Sequence, residues 1–193
     1  DVAGHVETLA AYGAEHVYSA EHPSLGQYTA EAYTDVLARA VPRQRPQVLL
    51  FPATTNGRDL APRIAARLQL GLTGDCVGLE LDANGTLVQL KPAFGGNIVA
   101  PIVSTTRPQM ATVRPGVLTR ANPDWSRRAS VEPLEVVPAA DGPKRVLGAY
   151  AEAGQDGIEL DDAEVIVCVG KGVGGSEYLP AIRPLAEVLN ARL

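Results

Sequence analysis

The stretch QVLLFPATTNGRDLAPRIAARLQLG (47–71) decides the fold class. Its first seven residues, Gln47–Ala53, form a nearly continuous apolar run, which suits a strand buried on both faces as in a parallel sheet. The remainder changes period. Leu60, Ile64 and Leu68 recur every four residues, the spacing of one helix face, and Gly71 closes the run. Pro62 is compatible only with a first helical turn, so the helix is expected to start near Asp59, with Asn56 or Asp59 as its cap. A buried strand handing straight to an amphipathic helix is the repeating step of an α/β fold.

Upstream, Val2, Val6 and Leu9 share helical spacing as far as Gly13, and His16–Ser19 reads as a short strand. Tyr28–Val41 predicts a helix with Tyr33, Val36, Leu37 and Ala40 on one face, and Pro42 and Pro46 bound the connection to Gln47. Downstream, Cys76–Asp82 and Thr86–Lys91 alternate around a hairpin turn at Ala83-Asn84-Gly85. Asn97–Ser104 and Met110–Arg114 add two short strands. These are read as an antiparallel run that extends the sheet or forms a side layer. Asn122–Arg128 is loop-like, and Val131–Pro138 and Arg145–Tyr150 read as strands. Residues 151–162, AEAGQDGIELDD, are acidic and glycine-containing and read as a linker.

Ala163–Val169 then predicts a second buried strand, followed by a glycine loop at 170–175. A helix over Glu177–Ala191 follows, with Leu179, Ile182, Leu185, Ala186 and Leu189 inward. Pro180 fits its first turn; Pro184 implies a late start or a kink. The expected architecture is therefore a parallel-sheet α/β/α base domain over 1–150 with additional antiparallel strands. A linker over 151–162 leads to the first β-loop-α of a second α/β domain over 163–193. That unit cannot bury its apolar faces alone, so further chain is expected to complete it.

Of the 193 residues, 46% are hydrophobic and 20% charged, ordinary for a globular chain. The formal net charge of −5 gives no field favouring nucleic acid or an anionic membrane. No apolar run reaches the roughly 18 residues of a membrane span. Cys76 and Cys168 both lie in apolar runs without metal-ligand spacing. They are expected to be buried free thiols, which suits a reducing, cytoplasmic compartment. The chain begins at Asp1 without an initiating Met, so the absence of a leader carries no information about the parent protein.

Four motifs carry candidate chemistry. Thr54-Thr55-Asn56-Gly57-Arg58-Asp59 sits where a sheet strand meets a helix N-terminus, the position where open α/β sheets bind ligands, and helix capping explains Asn56 and Asp59 equally well. Gly170-Lys171-Gly172-Val173-Gly174-Gly175 satisfies G-x-G-x-x-G between a predicted strand and helix. It is either a phosphate-binding loop or a tight turn with no ligand. Phe94-Gly95-Gly96-Asn97 allows positive φ between two strands. Arg107-Pro108 and Arg114-Pro115-Gly116 place guanidinium forks at strand ends, either for a partner or phosphate or simply solvated. His5, His16 and His22 have no third ligand at metal spacing. No nucleophile elbow, Walker sequence or Cys/His pair supplies hydrolytic chemistry.

Three longer blocks are more specific than any of these. GRDLAPRIAARLQLGLTGDCVGLELD (57–82), KPAFGGNIVAPIVSTTRPQMATVRPGVL (91–118) and IELDDAEVIVCVGKGVGGSEYLPAIRPLAEVLNARL (158–193) together resemble the electron transfer flavoprotein alpha subunit. The resemblance implies an electron carrier rather than a hydrolase or transferase. It implies a heterodimer with a beta subunit, FAD in a C-terminal domain, and dehydrogenase or quinone-reductase redox partners. The family's Gly-Arg-Gly, whose arginine touches FAD, corresponds to Gly170-Lys171-Gly172. Lys171, Gly170, Gly172, Val173 and Gly174 are thus the implied cofactor contacts, with lysine keeping the charge but losing the fork. The wording around AFGGN and TVRPG is similar to the subgroup of fix-type and bifurcating members, where a second FAD sits in the beta subunit near the alpha base. Phe94, Gly95, Gly96, Asn97 and Arg114 become candidates for that interface. The competing reading is a free-standing nucleotide-binding α/β enzyme using the loop at 170–175.

Overall fold

The computed structural model describes residues 2–137 and 163–193. The chain divides into two compact units, residues 1–144 and 145–193. In the first unit α1 (Val6–Ala11) is followed by β1 (His16–Ser19), α2 (Ala30–Gln44), β2 (Val48–Pro52) and α3 (Thr55–Leu68). Then come β3 (Leu72–Cys76), β4 (Gly78–Leu81), β5 (Leu87–Ala93), β6 (Ile98–Ile102), β7 (Gln109–Val113) and β8 (Ser130–Pro133). The fold is mixed α/β, as expected. Strands β2, β7 and β3 form a parallel sheet in that order, β4, β5 and β6 an antiparallel one, and β1 pairs in parallel with β8.

The order of the parallel sheet corrects one expectation. The strand read as Met110–Arg114 in an antiparallel run is β7, and it lies parallel between β2 and β3. Gln109, Met110, Ala111 and Thr112 are all buried, as a strand covered on both faces must be. Its neighbour β3 was not anticipated, because LTGDC shows neither an apolar run nor clean alternation. The core forms where α3 lies against this sheet: Phe51 from β2, Leu60, Ala61, Ile64 and Ala65 from α3, and Met110 from β7. Tyr33 and Leu37 of α2 pack onto it, as their spacing implied.

Helix α3 starts four residues earlier than Pro62 suggested, and the proline sits inside it. The cap is Thr54, neither Asn56 nor Asp59: its hydroxyl accepts from the Gly57 amide at 3.2 Å. Gly57 makes this start possible, because a β-carbon there would collide with the Pro52 carbonyl oxygen at the end of β2. In α1 the buried residues are Ala10 and Ala11, whereas Val2 and Leu9 are each 47% exposed, so the apolar stripe is not the packed face. A six-residue helix presents only about one and a half turns, and here its small residues make the close approach. The 83–85 turn forms as expected, with Gly85 at φ +74° and the Asp82 carboxylate accepting from the amides of Asn84 and Thr86 at 2.8 Å.

Two side chains join the two larger sheets, Gln109 of β7 and Lys91 of β5, whose ammonium donates to the Gly74 carbonyl of β3 at 2.7 Å. Gln109, 2% exposed, accepts from the Leu87 amide through Oε1 at 3.0 Å and donates through Nε2 to the Leu87 carbonyl at 3.0 Å. This pair reproduces a rung of a β-ladder between β7 and β5. On β5 itself Gln89 is fully buried, and neither of its amide atoms finds a partner among the described residues. We have no physical account of that.

In the second unit the expected strand Ala163–Val169 is reduced to one parallel bridge, Ile166 with Arg192. A strand exists only where a neighbour takes its hydrogen bonds, and among the described residues Ile166 meets only this one. Cys168 is exposed, contrary to expectation; Cys76 is buried. The expected helix 177–191 is shorter: a 3-10 turn at Ser176–Tyr178 and then α4 (Leu179–Val188), with Pro184 inside. Only Ala186 of its apolar set is buried; Leu185 and Leu189 are 54% and 46% exposed. The readings at 145–150 and 151–162, and residue 138 of the strand read over 131–138, lie outside the described residues.

Replacing Gln109 by Leu keeps the volume but strands the Leu87 amide and carbonyl in a buried place. The expected cost is roughly 2–4 kcal/mol, measured as a urea midpoint falling with an unchanged slope. A variant as stable as the parent would remove Gln109 from this role.

Candidate functional site

Open parallel sheets bind ligands beyond the carboxyl ends of their strands. At that edge β2, β7 and β3 finish at Pro52, Val113 and Cys76. Two hydrogen bonds carry the pairing one residue further, from the Ala53 amide to Val113 and from the Arg114 amide to Cys76, at 2.7 and 2.9 Å. Between Thr73 and Cys76 the register of β3 shifts, and Asp75 takes a left-handed φ of +60°. Asp is one of the few side-chain-bearing residues that enters this region readily. Its amide donates to Thr112 Oγ1 at 2.7 Å, which holds the irregular turn on β7.

The turn directs the Asp75 carboxylate at two arginines. Arg114 grips it with Nη2 at 2.6 Å and Nε at 3.2 Å, and Arg58 reaches Oδ1 with Nη2 at 3.0 Å. Arg58 is itself fixed by Nε donating to the Ala53 carbonyl at 2.7 Å. Lys91, from β5, donates to the Gly74 carbonyl at 2.7 Å. Two guanidiniums thus hold one carboxylate, with the Lys91 ammonium at the neighbouring residue, and the side chains of Arg58 and Arg114 remain 57% and 45% exposed. The hydrogen bond from Arg114 holds the Asp75 carboxyl below the usual carboxylate range, against the opposing effect of burial. Burial pushes the Cys76 thiol up, so it stays protonated and is no nucleophile. The edge carries a surplus of positive charge, which suits an anionic group.

Arg114 is an expected site residue in this cluster. Arg58 belongs to the 54–59 segment expected at the ligand-binding edge of the sheet, whereas Asp75 and Lys91 were missed. The available signal was the Gly-Asp pair ending a β segment, a combination that often marks left-handed backbone. Asp59, expected as a cap, instead accepts from Tyr28 Oη at 2.7 Å and Arg63 Nε at 3.0 Å. Burial first, and then this bond, push the Tyr28 phenol up to about 12.

Phe94, Gly95 and Gly96 form a 3-10 turn at the tip between β5 and β6, with φ of +49°, +70° and +90°. Asn97 closes it in a right-handed conformation. Phe94 is 81% exposed, and Ile98 and Val99 at the start of β6 are about half exposed. Phe94 is thus held on a turn of positive φ at the end of an apolar edge strand, outside the core.

In the second unit Gly170 is extended, Lys171–Val173 form a 3-10 turn and Gly174 has φ +99°. Nothing lies within 4 Å of where β-carbons would sit on Gly170 and Gly172, so the loop is open on that side, with exposed Lys171 between them. The second turn at Ser176–Tyr178 separates the glycines from α4, so they do not open directly onto a helix N-terminus as a dinucleotide fingerprint does.

Residues 1–139 match the family model of the electron transfer flavoprotein domain. The chain is 43% identical over 183 residues to the electron transfer flavoprotein subunit alpha of Thermoanaerobacterium thermosaccharolyticum, covering 94% of this chain and 55% of that one. It is 39% identical over 184 residues to protein FixB of Bradyrhizobium diazoefficiens, covering 93% and 49%. Against the lactate dehydrogenase (NAD(+),ferredoxin) subunit LctC of Acetobacterium woodii it is 40% identical over 191 residues, covering 96% and 44%. The chain spans about half the length of these relatives. Among the described residues no helix is long and apolar enough to cross a membrane.

Because the folded Asp75 pKa is depressed, the stability it contributes is present above the ordinary carboxylate range. It is lost as pH falls through the lowered value. Asp75→Asn should lower the urea midpoint near neutral pH, and the gap from the parent should shrink between about pH 5 and about pH 2. Parallel pH curves for the two proteins would show that the carboxylate charge is not what holds the edge.

Proposed function

The chain belongs to the electron transfer flavoprotein family, and on that premise we propose that it is alpha-subunit sequence of an electron carrier that works as a heterodimer with a beta-type subunit. Residues 1–150 are its base domain, 151–162 the linker and 163–193 the opening strand, loop and helix of the domain that carries FAD. When bound, FAD supplies the redox chemistry at its isoalloxazine ring. The residues of this chain that would reach it are Gly170, Lys171, Gly172, Val173 and Gly174. The open sides of Gly170 and Gly172 and the exposed ammonium between them fit the approach of a phosphate or a flavin carbonyl. The likeness to a FixB protein and to a subunit of an NAD- and ferredoxin-linked lactate dehydrogenase favours the fix-type or bifurcating subgroup. Its redox partners would then be dehydrogenases or quinone reductases in the cytoplasm.

The observation that carries the heterodimer reading is the exposed corner at Phe94, continuous with Ile98 and Val99 on β6. A monomer gains nothing by holding an aromatic there against water. Arg114 and the cationic sheet edge would face acidic groups of the partner or the phosphates of a second flavin. The competing reading, a nucleotide-binding α/β enzyme using the loop at 170–175, is supported by G-x-G-x-x-G alone. The 3-10 turn before α4 counts against it.

Co-expression with a beta-type subunit should give a one-to-one complex by size exclusion with light scattering, and Phe94→Asp should break it while the base stays folded. A chain that remains monomeric beside the beta subunit would sink this reading. In the subunit at its relatives' full length, Lys171→Ala should weaken FAD by roughly ten-fold. Lys171→Arg should be tolerated and Lys171→Glu should be worst. Equal FAD affinity and midpoint potential in Lys and Glu forms would leave Lys171 without a flavin role.

A further inference from the structure

The two Arg-Pro corners are used differently. Arg114 is bound to Asp75 at the carboxyl edge of the parallel sheet. Arg107 lies at the opposite edge, where β7 begins, and lines a cleft of about 600 Å³ between the ends of α2 and α3. Val41, Leu68, Leu70, Pro46 and Pro108 give it apolar walls, and Arg45 is its second cation. That volume is in the range of small-ligand sites.

Both guanidiniums have donors to spare. Arg107 Nη1 donates to the carbonyls of Ser104 and Thr106 at 3.2 and 3.1 Å, which fixes the group, and its Nη2 and Nε have no protein acceptor among the described residues. Arg45 caps α2 with a left-handed φ of +46°, its amide bonded to the Val41 carbonyl at 2.9 Å; its side chain has no acceptor among the described residues. Among the described residues no carboxylate lines the cleft. The bland alternative is that these arginines only offset the two helix C-termini that meet here. Arg43 and Arg67 already stand in the last turns of these two helices, so offsetting the termini does not by itself call for Arg45 and Arg107.

We propose that this cleft binds a small amphipathic carboxylate, its hydrocarbon body against Val41, Leu68 and Leu70 and its carboxylate between Arg45 and Arg107. The ligand class follows from the lining alone and does not depend on flavin or on a beta subunit. Aliphatic walls desolvate the body, and planar forks match a carboxylate in a way that neither water nor lysine does.

Isothermal titration of the 193-residue chain with sodium octanoate, and separately with octanol, tests this. Octanoate should bind saturably at one site, with Kd on the order of a millimolar or tighter, and octanol should not bind at the same concentration. Arg45→Met and Arg107→Met should each weaken octanoate by about ten-fold and the double variant should abolish it. Arg43→Met, on the same helix but outside the cleft, should leave binding unchanged. Circular dichroism and urea midpoints equal to the parent's establish that the variants are folded. No saturable octanoate binding, equal binding of octanol, or equal weakening by Arg43→Met would each overturn the proposal.

Discussion

A buried side-chain amide that finds both a donor and an acceptor on one backbone residue acts like a strand segment, and Gln109 holds Leu87 in this way. The amide satisfies two polar groups that would otherwise be buried unpaired, each worth about 1–3 kcal/mol if abandoned. Because Gln109 is the first residue of β7, the bond helps fix where the antiparallel sheet stands relative to the parallel one, together with Lys91 on the Gly74 carbonyl and the Val77 amide on the Leu90 carbonyl. At the other end of β7, Thr112 holds the Asp75 turn and Arg114 grips its carboxylate. A five-residue strand therefore takes part in both the junction between sheets and the charged edge.

The charged edge follows from a local backbone irregularity. Without the register shift after Thr73, Asp75 would not stand in a left-handed turn with its carboxylate between two guanidiniums. The exposed pairs around it contribute little to stability one by one. Their consequence is positional: Arg58 and Arg114 are held in defined orientations with much of their surface still in water. A pre-ordered cationic rim of this kind meets a partner or an anion at small entropic cost.

The sequence discloses those parts of the molecule that local pattern determines. Phe51, Leu60 and Ile64 announce a strand and the helix that covers one of its faces, and Asn84-Gly85 announces a hairpin. The continuous apolar run at 47–53 overstates the burial, since β2 is an edge strand with only Phe51 buried and Leu50 48% exposed. The sequence conceals what depends on distant pairing. Gln109 and Thr112 look like the exposed positions of a half-polar strand, yet both are buried, because their polar atoms are taken up by Leu87 and Asp75. Hence Met110–Arg114 reads as part of an antiparallel run when β7 is the central parallel strand. Pro62 misleads in the opposite sense: a strong local rule against proline yields to Thr54 capping and to the fit of Gly57 on Pro52. Of the candidate site, Arg114 and the Phe94 corner are legible from their motifs. Asp75 and Lys91 are not, since their roles arise from a bulge and from a neighbouring strand.

Native-state hydrogen exchange tests the central position of β7 most directly. If β7 is the parallel centre and Gln109 couples the sheets, the amides of Met110, Ala111 and Thr112 exchange only through global unfolding. The amides of β5 then follow them closely in the parent and separate from them in Gln109→Leu. Exchange of Met110–Thr112 as fast as that of the two-stranded β1–β8 pair, or β5 protection that does not respond to Gln109→Leu, would contradict this account.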